Sequence, residues 1–408
     1  MRRPEGNPTE EIRQGKTLFQ GDPLTEGLRT VLAERIQQML QEEIDAVLGA
    51  GSYQRVQERL GYRHGTQPRS IGTSLGKATI ERPRARMFKE DGSSTEWQST
   101  VLPRYQRRAK AVDDAIIGVY LSGTNTRRIK KALSPLLSGV PLSRSVVSRL
   151  VHRLKEAFES WRTRTLSGET FVYIYADAIG IRVRAAGRVV KMPVLAVVGV
   201  TETGKKELLA LDLRGSESEE AWTEVLRGLV NRGLNRPQLV IADGNKGLVN
   251  AIEGLWSGVD IQRCSVHKLR NLLSHAPLHA HEEVKVDFHT IIYAASAQEA
   301  QAAYEAFVRK WSKRLEGVAR SLQEAGPQLL TFFKYPKSQY RSLHSTNVIE
   351  RLNGEFRRRV KTQASFPTED AVLIVLFGLF ASGQIRMQRI SGFKELPKVT
   401  EKSLSIVA

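Results

Sequence analysis

Three acidic residues carry the chemistry this sequence could perform: Asp177, Asp243 and Glu350. Asp177 interrupts a run in which aromatic and β-branched residues alternate from Phe171 to Tyr175 and resume from Ile179 to Arg184. An ionised carboxylate inside such a strand is costly unless something pairs with it, and a bound divalent cation is one such partner. Asp243 follows the short apolar run Gln238–Ala242, and Glu350 falls in a helical pattern about 107 residues further on. Magnesium is a hard cation that takes carboxylate oxygens and leaves its other positions to water or phosphate. Two such ions roughly 3.5–4 Å apart can activate an attacking oxygen and stabilise a leaving one in phosphodiester displacement. Three acids suffice to hold both, with manganese as a possible substitute.

Each acid also has an ordinary role open to it. Asp243, before Gly244, could be a turn residue or a helix cap. Asn347 and Glu350 are spaced as a capping box, and Asp177 could pair with Arg182. Cys264 and His267 have the Cys-x-x-His spacing of half a zinc site, but the chain has a single cysteine and shows no second half. A buried thiol ending a strand and a histidine opening a helix is the simpler reading; His267 could instead hydrogen-bond a scissile phosphate. Asp212 reads as an ordinary edge carboxylate.

The elements around these residues form a recognisable order. Phe171–Arg184, Val189–Val200 and Glu207–Leu213 read as three strands joined by short Gly-containing turns, an antiparallel meander. Ser216-Glu217-Ser218-Glu219 reads as a capping box opening a helix with Trp222, Val225, Leu226 and Leu229 on one face. A strand at 238–242, a helix at 246–255, a strand at 261–264 and a helix at 266–273 follow. That order predicts a ribonuclease-H-like α/β core, a mixed sheet with helices on both faces. In such a sheet the strands of Asp177 and Asp243 are neighbours. Residues 276–340 read as an all-helical insertion, and a helix over about 346–361 completes the core at 341–385. In that helix Asn347, Glu350, Asn353 and Arg357 form a polar stripe beside an apolar one.

The charge balance points to the substrate. The 408-residue chain has 62 Lys+Arg against 43 Asp+Glu, a net charge of +19, which suits a polyanion, usually nucleic acid. No apolar run is long enough to span a bilayer; no secretory signal is visible, and lone Cys264 permits no internal disulfide. A reducing cytoplasm is the expected location, in association with the nucleoid. Residues 104–165 hold about fourteen Lys/Arg against four Asp/Glu and fit three helices. Arg144, Ser145, Ser148 and Arg149 lie opposite the apolar face of the third, where they could reach a major groove. This segment is a helix-turn-helix candidate. Upstream, 61–103 reads as a basic irregular module and 1–60 as a helical region centred on 23–48, able to pack on its own core or on another subunit. Residues 386–408 read as a basic tail.

The motifs Tyr175-Ala176-Asp177-Ala178, Ile241-Ala242-Asp243-Gly244, Cys264-Ser265-Val266-His267 and Thr346-Asn347-Val348-Ile349-Glu350-Arg351, with Trp222 and Gly123–Arg128, resemble those of Mutator-like DDE transposases of bacterial insertion sequences. The resemblance runs from about residue 61 to 380. It implies that Asp177, Asp243 and Glu350 are the catalytic, metal-binding triad, supported by Cys264, His267 and Asn347. It also implies that the chain acts as a homodimer or larger synaptic assembly on terminal inverted repeats and target DNA. Arg127, Arg128, Arg351, Arg357 and Arg358 join the helix-turn-helix residues as expected DNA contacts. The alternatives are a nuclease or resolvase that cuts without joining, and a domesticated DNA-binding regulator.

Overall fold

The computed structural model describes residues 23–124, 126–133, 137, 139–140, 142–185, 187–360, 366 and 368–399. The chain divides into two compact units, with the boundary between His152 and Arg153.

The first unit opens with α1 (Pro23–Leu48). Its C-terminal half buries Leu40, Ile44 and Leu48 against Ile71, Ile80, Ala85 and Trp97. Its N-terminal half leaves Leu24, Leu28 and Val31 exposed. Beneath it lie β1 (Gly61–Thr73), β2 (Gly76–Phe88) and β3 (Ser94–Glu96), an antiparallel three-stranded sheet. The sequence suggests only a strand hint near Ala78–Ile80 in a basic irregular module. The structure corrects this: β2 alternates buried Ala78, Ile80 and Arg82 with exposed Lys77, Thr79 and Glu81. The strand hides because its inward positions include an arginine and small residues rather than large hydrophobics. Next come α2 (Lys110–Leu121), α3 (Thr126–Leu133) and α4 (Arg144–Thr163). They share a core of Val112, Ile116, Ile129, Leu133, Val147 and Leu150. The unit boundary falls inside α4, upstream of the 165/166 division suggested by composition.

The second unit is built on a five-stranded sheet of β4 (Phe171–Ala185), β5 (Arg188–Thr201), β6 (Lys206–Leu213), β7 (Leu239–Ala242) and β8 (Asp260–Arg263). The strands lie in the order β6-β5-β4-β7-β8. The first three pair antiparallel, whereas β7 and β8 run parallel to β4. One face carries α5 (Glu219–Asn231) and α6 (Lys246–Leu255). They bury Trp222, Leu226 and Ile252 against Ile174, Ala176 and Val240. On the other face Tyr173 and Tyr175 donate hydrogen bonds to Gln339 Oε1 (2.6 Å) and Ser342 O (2.9 Å). That alternation along β4 follows from its period of two.

After β8 comes α7 (Ser265–Ser274), then α8 (His281–Ile292), α9 (Ala297–Arg314) and α10 (Glu316–Ala325). These helices close around Phe288, Phe307, Trp311 and Leu322 and add no strand between 276 and 340. The chain returns through α11 (Tyr340–Leu343) to α12 (Asn347–Val360) and then α13 (Glu369–Ala381). The helix α13 is buried on nearly every side from Val372 to Leu379, as its unbroken apolar run requires.

Candidate active site

Register brings the first two acids together. In the parallel pair β4–β7, Tyr175 lies opposite Ile241 and Ala176 opposite Ala242. One residue further on, Asp177 and Asp243 come level on adjacent strands, about 4.8 Å apart in the pairing direction. The next pair repeats the step, since Ala242 lies opposite Arg263 and Cys264 N donates to Ala242 O at 2.7 Å. Asp177, Asp243 and Cys264 therefore stand in a row across three strands.

Asp177 is 3 % exposed. Its Oδ1 accepts from the Ala178 N–H at 2.8 Å, while Oδ2 is buried with no hydrogen-bond partner. Arg182, the possible ion-pair partner, points to solvent. Burial, with a further push from Asp243, raises the Asp177 carboxyl to about 7 despite the opposing pull of His267. Asp243 does form a turn, its Oδ1 accepting from Asn245 N at 2.9 Å. The cap of α6 is instead Asn245, which accepts from Gly247 and Leu248. The turn role thus occupies one oxygen of Asp243.

Glu350 arrives by a different route. Ser265 N donates to His344 O at 2.9 Å, and Ser265 Oγ lies 2.7 Å from His344 Nδ1. Cys264 Sγ accepts from both the N–H and the hydroxyl of Thr346, each at 3.2 Å. The start of α12 is thereby stitched to the end of β8 and the start of α7. Cys264 is a buried structural thiol, its pKa raised by that burial, and no zinc-like partner set surrounds it among the described residues. Four residues past Thr346, Glu350 faces α7. Arg270 Nη1 is 2.8 Å from its Oε1, and His267 Nε2 is 3.8 Å from the same atom. The Arg270 contact lacks hydrogen-bond alignment, because Oε1 has no bonded partner. The capping-box alternative for Glu350 does not hold, since its side chain turns toward α7. Asn353, one turn on, is buried with Oδ1 unpartnered, whereas Asn347 is exposed.

His267 is thus the hub, sensed by Asp177 and close to both Glu350 and Thr346 (Nδ1 3.5 Å from Oγ1). Among the described residues, no three His, Cys, Asp or Glu side chains yet stand closely enough to hold a metal ion. Two residues at the site escape a sequence reading. Arg270 lies one turn after His267 on α7. Glu217 is half-buried and its carboxyl is pushed up, first by burial and then by Asp243. The capping-box reading of Ser216–Glu219 is also corrected: the cap is Ser218, which accepts from Ala221 N at 3.3 Å. Asp212 is an ordinary edge carboxylate paired with Arg214 at 2.7 Å.

Beside α12 lies a cleft of about 1150 Å³ lined by Lys206, Lys337, Arg341, Arg351, Arg358, Arg386 and Arg389. The one carboxylate among its described lining residues, Glu355, pairs with Arg358 at 2.6 Å. Lys206 has its pKa lowered by burial and by neighbouring Arg351. The cleft is therefore strongly cationic. Arg357 is exposed on the same helix. In the first unit, Arg128, Ser145, Ser148 and Arg149 are exposed, while the side chains of Arg127 and Arg144 lie outside the described residues. No described helix is long and apolar enough to cross a membrane.

A mixed α/β protein with buried Asp177 level with Asp243 of the adjacent strand, and a cationic cleft along α12, has the equipment to handle a phosphate polyanion. The family description "Transposase, Mutator family" matches residues 6–387, and the chain belongs to that family. It is 35 % identical over 348 residues to the transposase for insertion sequence element ISRM5 of Rhizobium meliloti, covering 85 % of both chains. It is 31 % identical over 349 residues to the transposase for insertion sequence element IS256 in transposon Tn4001 of Staphylococcus aureus, covering 84 % of this chain and 86 % of that one. Among solved structures, the Drosophila P element transposase strand transfer complex overlays 72 % of this chain and 94 % of that one, with a TM-score of 0.41 at 10 % identity. That likeness is too distant to carry an argument.

Proposed function

We propose that this Mutator-family protein is a DNA transposase of a bacterial insertion sequence that cuts at the element's inverted repeats and joins the freed 3′-hydroxyl to target DNA. In this reading the sheet of the second unit is a ribonuclease-H-like core, a view supported by its β6-β5-β4-β7-β8 order and parallel β7 and β8. Asp177, Asp243 and Glu350 are its DDE acids. The observation that carries the assignment is the parallel register that sets Asp177 level with Asp243 while Asp177 Oδ2 has no partner.

The donor set fits a hard divalent cation, because the orphaned buried atoms Asp177 Oδ2 and Glu350 Oε1 are both carboxylate oxygens. Asp177, Asp243 and Glu350 would hold magnesium or manganese. A bound pair of ions supplies activation of the attacking oxygen and neutralisation of charge on the leaving one. The chain's own residues do the rest. Glu350 exchanges its contact with Arg270 for the site, and Arg270 becomes available to a phosphate. His267 stands between the acids, where an imidazole N–H can donate to a non-bridging phosphate oxygen. Arg351 and Arg358, with the other cations of the cleft, neutralise backbone phosphates and make affinity fall with salt. Helix α4 presents Ser145, Ser148 and Arg149 as a recognition surface, the second helix-turn-helix element, toward repeat DNA. Two or more copies bring two element ends together.

The deciding experiment supplies end-bearing DNA, a target plasmid and magnesium. The parent protein is expected to yield joined products. Asp177→Ala should lower joining on the order of a thousandfold while leaving end binding unchanged. Cleavage without joining would favour a nuclease or resolvase; equal joining by variant and parent would remove Asp177 from the chemistry.

A further inference from the structure

The linker between β6 and α5 carries an acidic residue into the site. Arg214 N donates to Pro193 O at 3.0 Å as the chain leaves β6, on the far side of β5 from Asp177. The start of α5 meets α6 at Gly247, where a Cβ would fall 2.7 Å from Glu219 N and 2.9 Å from Ser218 C. The absence of that side chain lets the start of α5 press against the first turn of α6, just past Asp243. From β6 to β7 is three strand spacings, about 14 Å. The four residues 215–218 reach about that far when extended, so they must run directly across β5 and β4. Glu217, the third of them, therefore lies by the Asp243 turn, half-buried.

Its surroundings mix one acid with two basic groups. The groups that act on Glu217 are Asp243, Lys191 and His267. Lys191 lies across Gly180 of β4, in the space a Cβ there would fill. A second observation points to a missing ligand: Asp177 is 3 % exposed, and its Oδ2 is unpartnered beside Asp243.

We propose that Glu217 is a fourth acidic residue of this site, sharing with Asp243 the divalent cation that Asp243 holds. The inference rests on the reading of Asp243 as a cation ligand. Glu217 brings a further carboxylate to the Asp243 turn, from the linker that precedes α5.

The test is manganese binding to the full-length protein without DNA, read by electron paramagnetic resonance of free Mn²⁺. Glu217→Gln is expected to weaken Mn²⁺ affinity about tenfold or more, with thermal stability in EDTA unchanged or raised. Glu220→Gln, which neutralises an exposed acid at the same helix end, should bind like the parent. Should Glu217→Gln fail to fold, Glu217→Asp, which keeps the charge and shortens the reach, is expected to weaken binding by a smaller factor. Affinity unchanged in Glu217→Gln, with Asp243→Asn strongly weakened, overturns the role of Glu217 alone. Affinity unchanged in Asp243→Asn overturns the cation site itself.

Discussion

The helix α7 separates two ways of burying charge. On one side Lys268, 2 % exposed, donates its ammonium to Glu324 Oε2 at 2.6 Å and to Ser321 O at 2.8 Å. Arg263 reaches the same carboxylate at 3.1 Å. On the other side, toward the strand ends, Asp177 is buried as deeply with one oxygen unbonded and Asp243 beside it. Glu350 is approached only by an ill-aligned arginine and a histidine at 3.8 Å. Within one helix's reach, then, a cation is closed by partners and two acids are left open. A buried charge that finds its partners inside the chain belongs to the structure. One that does not is kept for something the chain binds.

The largest expected effect tests the open side. Asp177 has a folded-state pKa near 7 against roughly 3.9 unfolded. Between those values the unfolded chain has lost its proton while the folded one keeps it. Stability from this group is therefore greatest below about pH 4 and falls as pH rises through 7. In EDTA, Asp177→Asn should be more stable than the parent at pH 8, by on the order of 3–4 kcal/mol, and by much less at pH 4. Magnesium should narrow that gap at pH 8, because a cation matches the carboxylate. Urea denaturation at the two pH values measures both, and a gap independent of pH would mean that Asp177 is not buried in need of a partner.

A smaller effect belongs to the closed side. Glu324→Gln leaves the buried Lys268 ammonium with neutral acceptors alone and should cost about 2–3 kcal/mol, below the full penalty for an uncompensated charge because Glu324 is itself partly exposed. Magnesium should not alter that loss. A magnesium-sensitive loss would join the two sides into one network and end the contrast.

The smallest change lies at the stitch between β8 and α12. Thr346→Val removes the hydroxyl donated to Cys264 Sγ and should cost about 1 kcal/mol. Because that contact sets where Glu350 stands, turnover is expected to fall more steeply than stability, with DNA-end affinity intact. Loss of affinity in step with turnover would show that the stitch shapes DNA binding rather than Glu350.

The strands and helices of the second unit were largely legible because each announces itself within a few residues. The alternation through Phe171–Arg184, the Gly187 and Gly204 turns and the stripe of Trp222, Val225, Leu226 and Leu229 are local signals. The sheet at 61–96 was not legible, since an inward Arg82 and alanines gave no apolar beat. Helix α1 shows a third case: its stripe reads continuously, yet only its C-terminal half is buried.

By itself the sequence determined which residues could act, and the periods of two and 3.6 that put them on strands and helices. The tertiary structure decided which of them meet. Asp177 comes level with Asp243 through hydrogen-bond register between strands separated in the chain by two further strands and a helix. Glu350 is delivered by backbone and thiol contacts at Ser265, His344, Cys264 and Thr346, and Glu217 by a linker stretched across two strands. Local preference depends on near neighbours and is written in short windows. Register and long-range closure depend on how remote segments share one core, and no short window of sequence contains that.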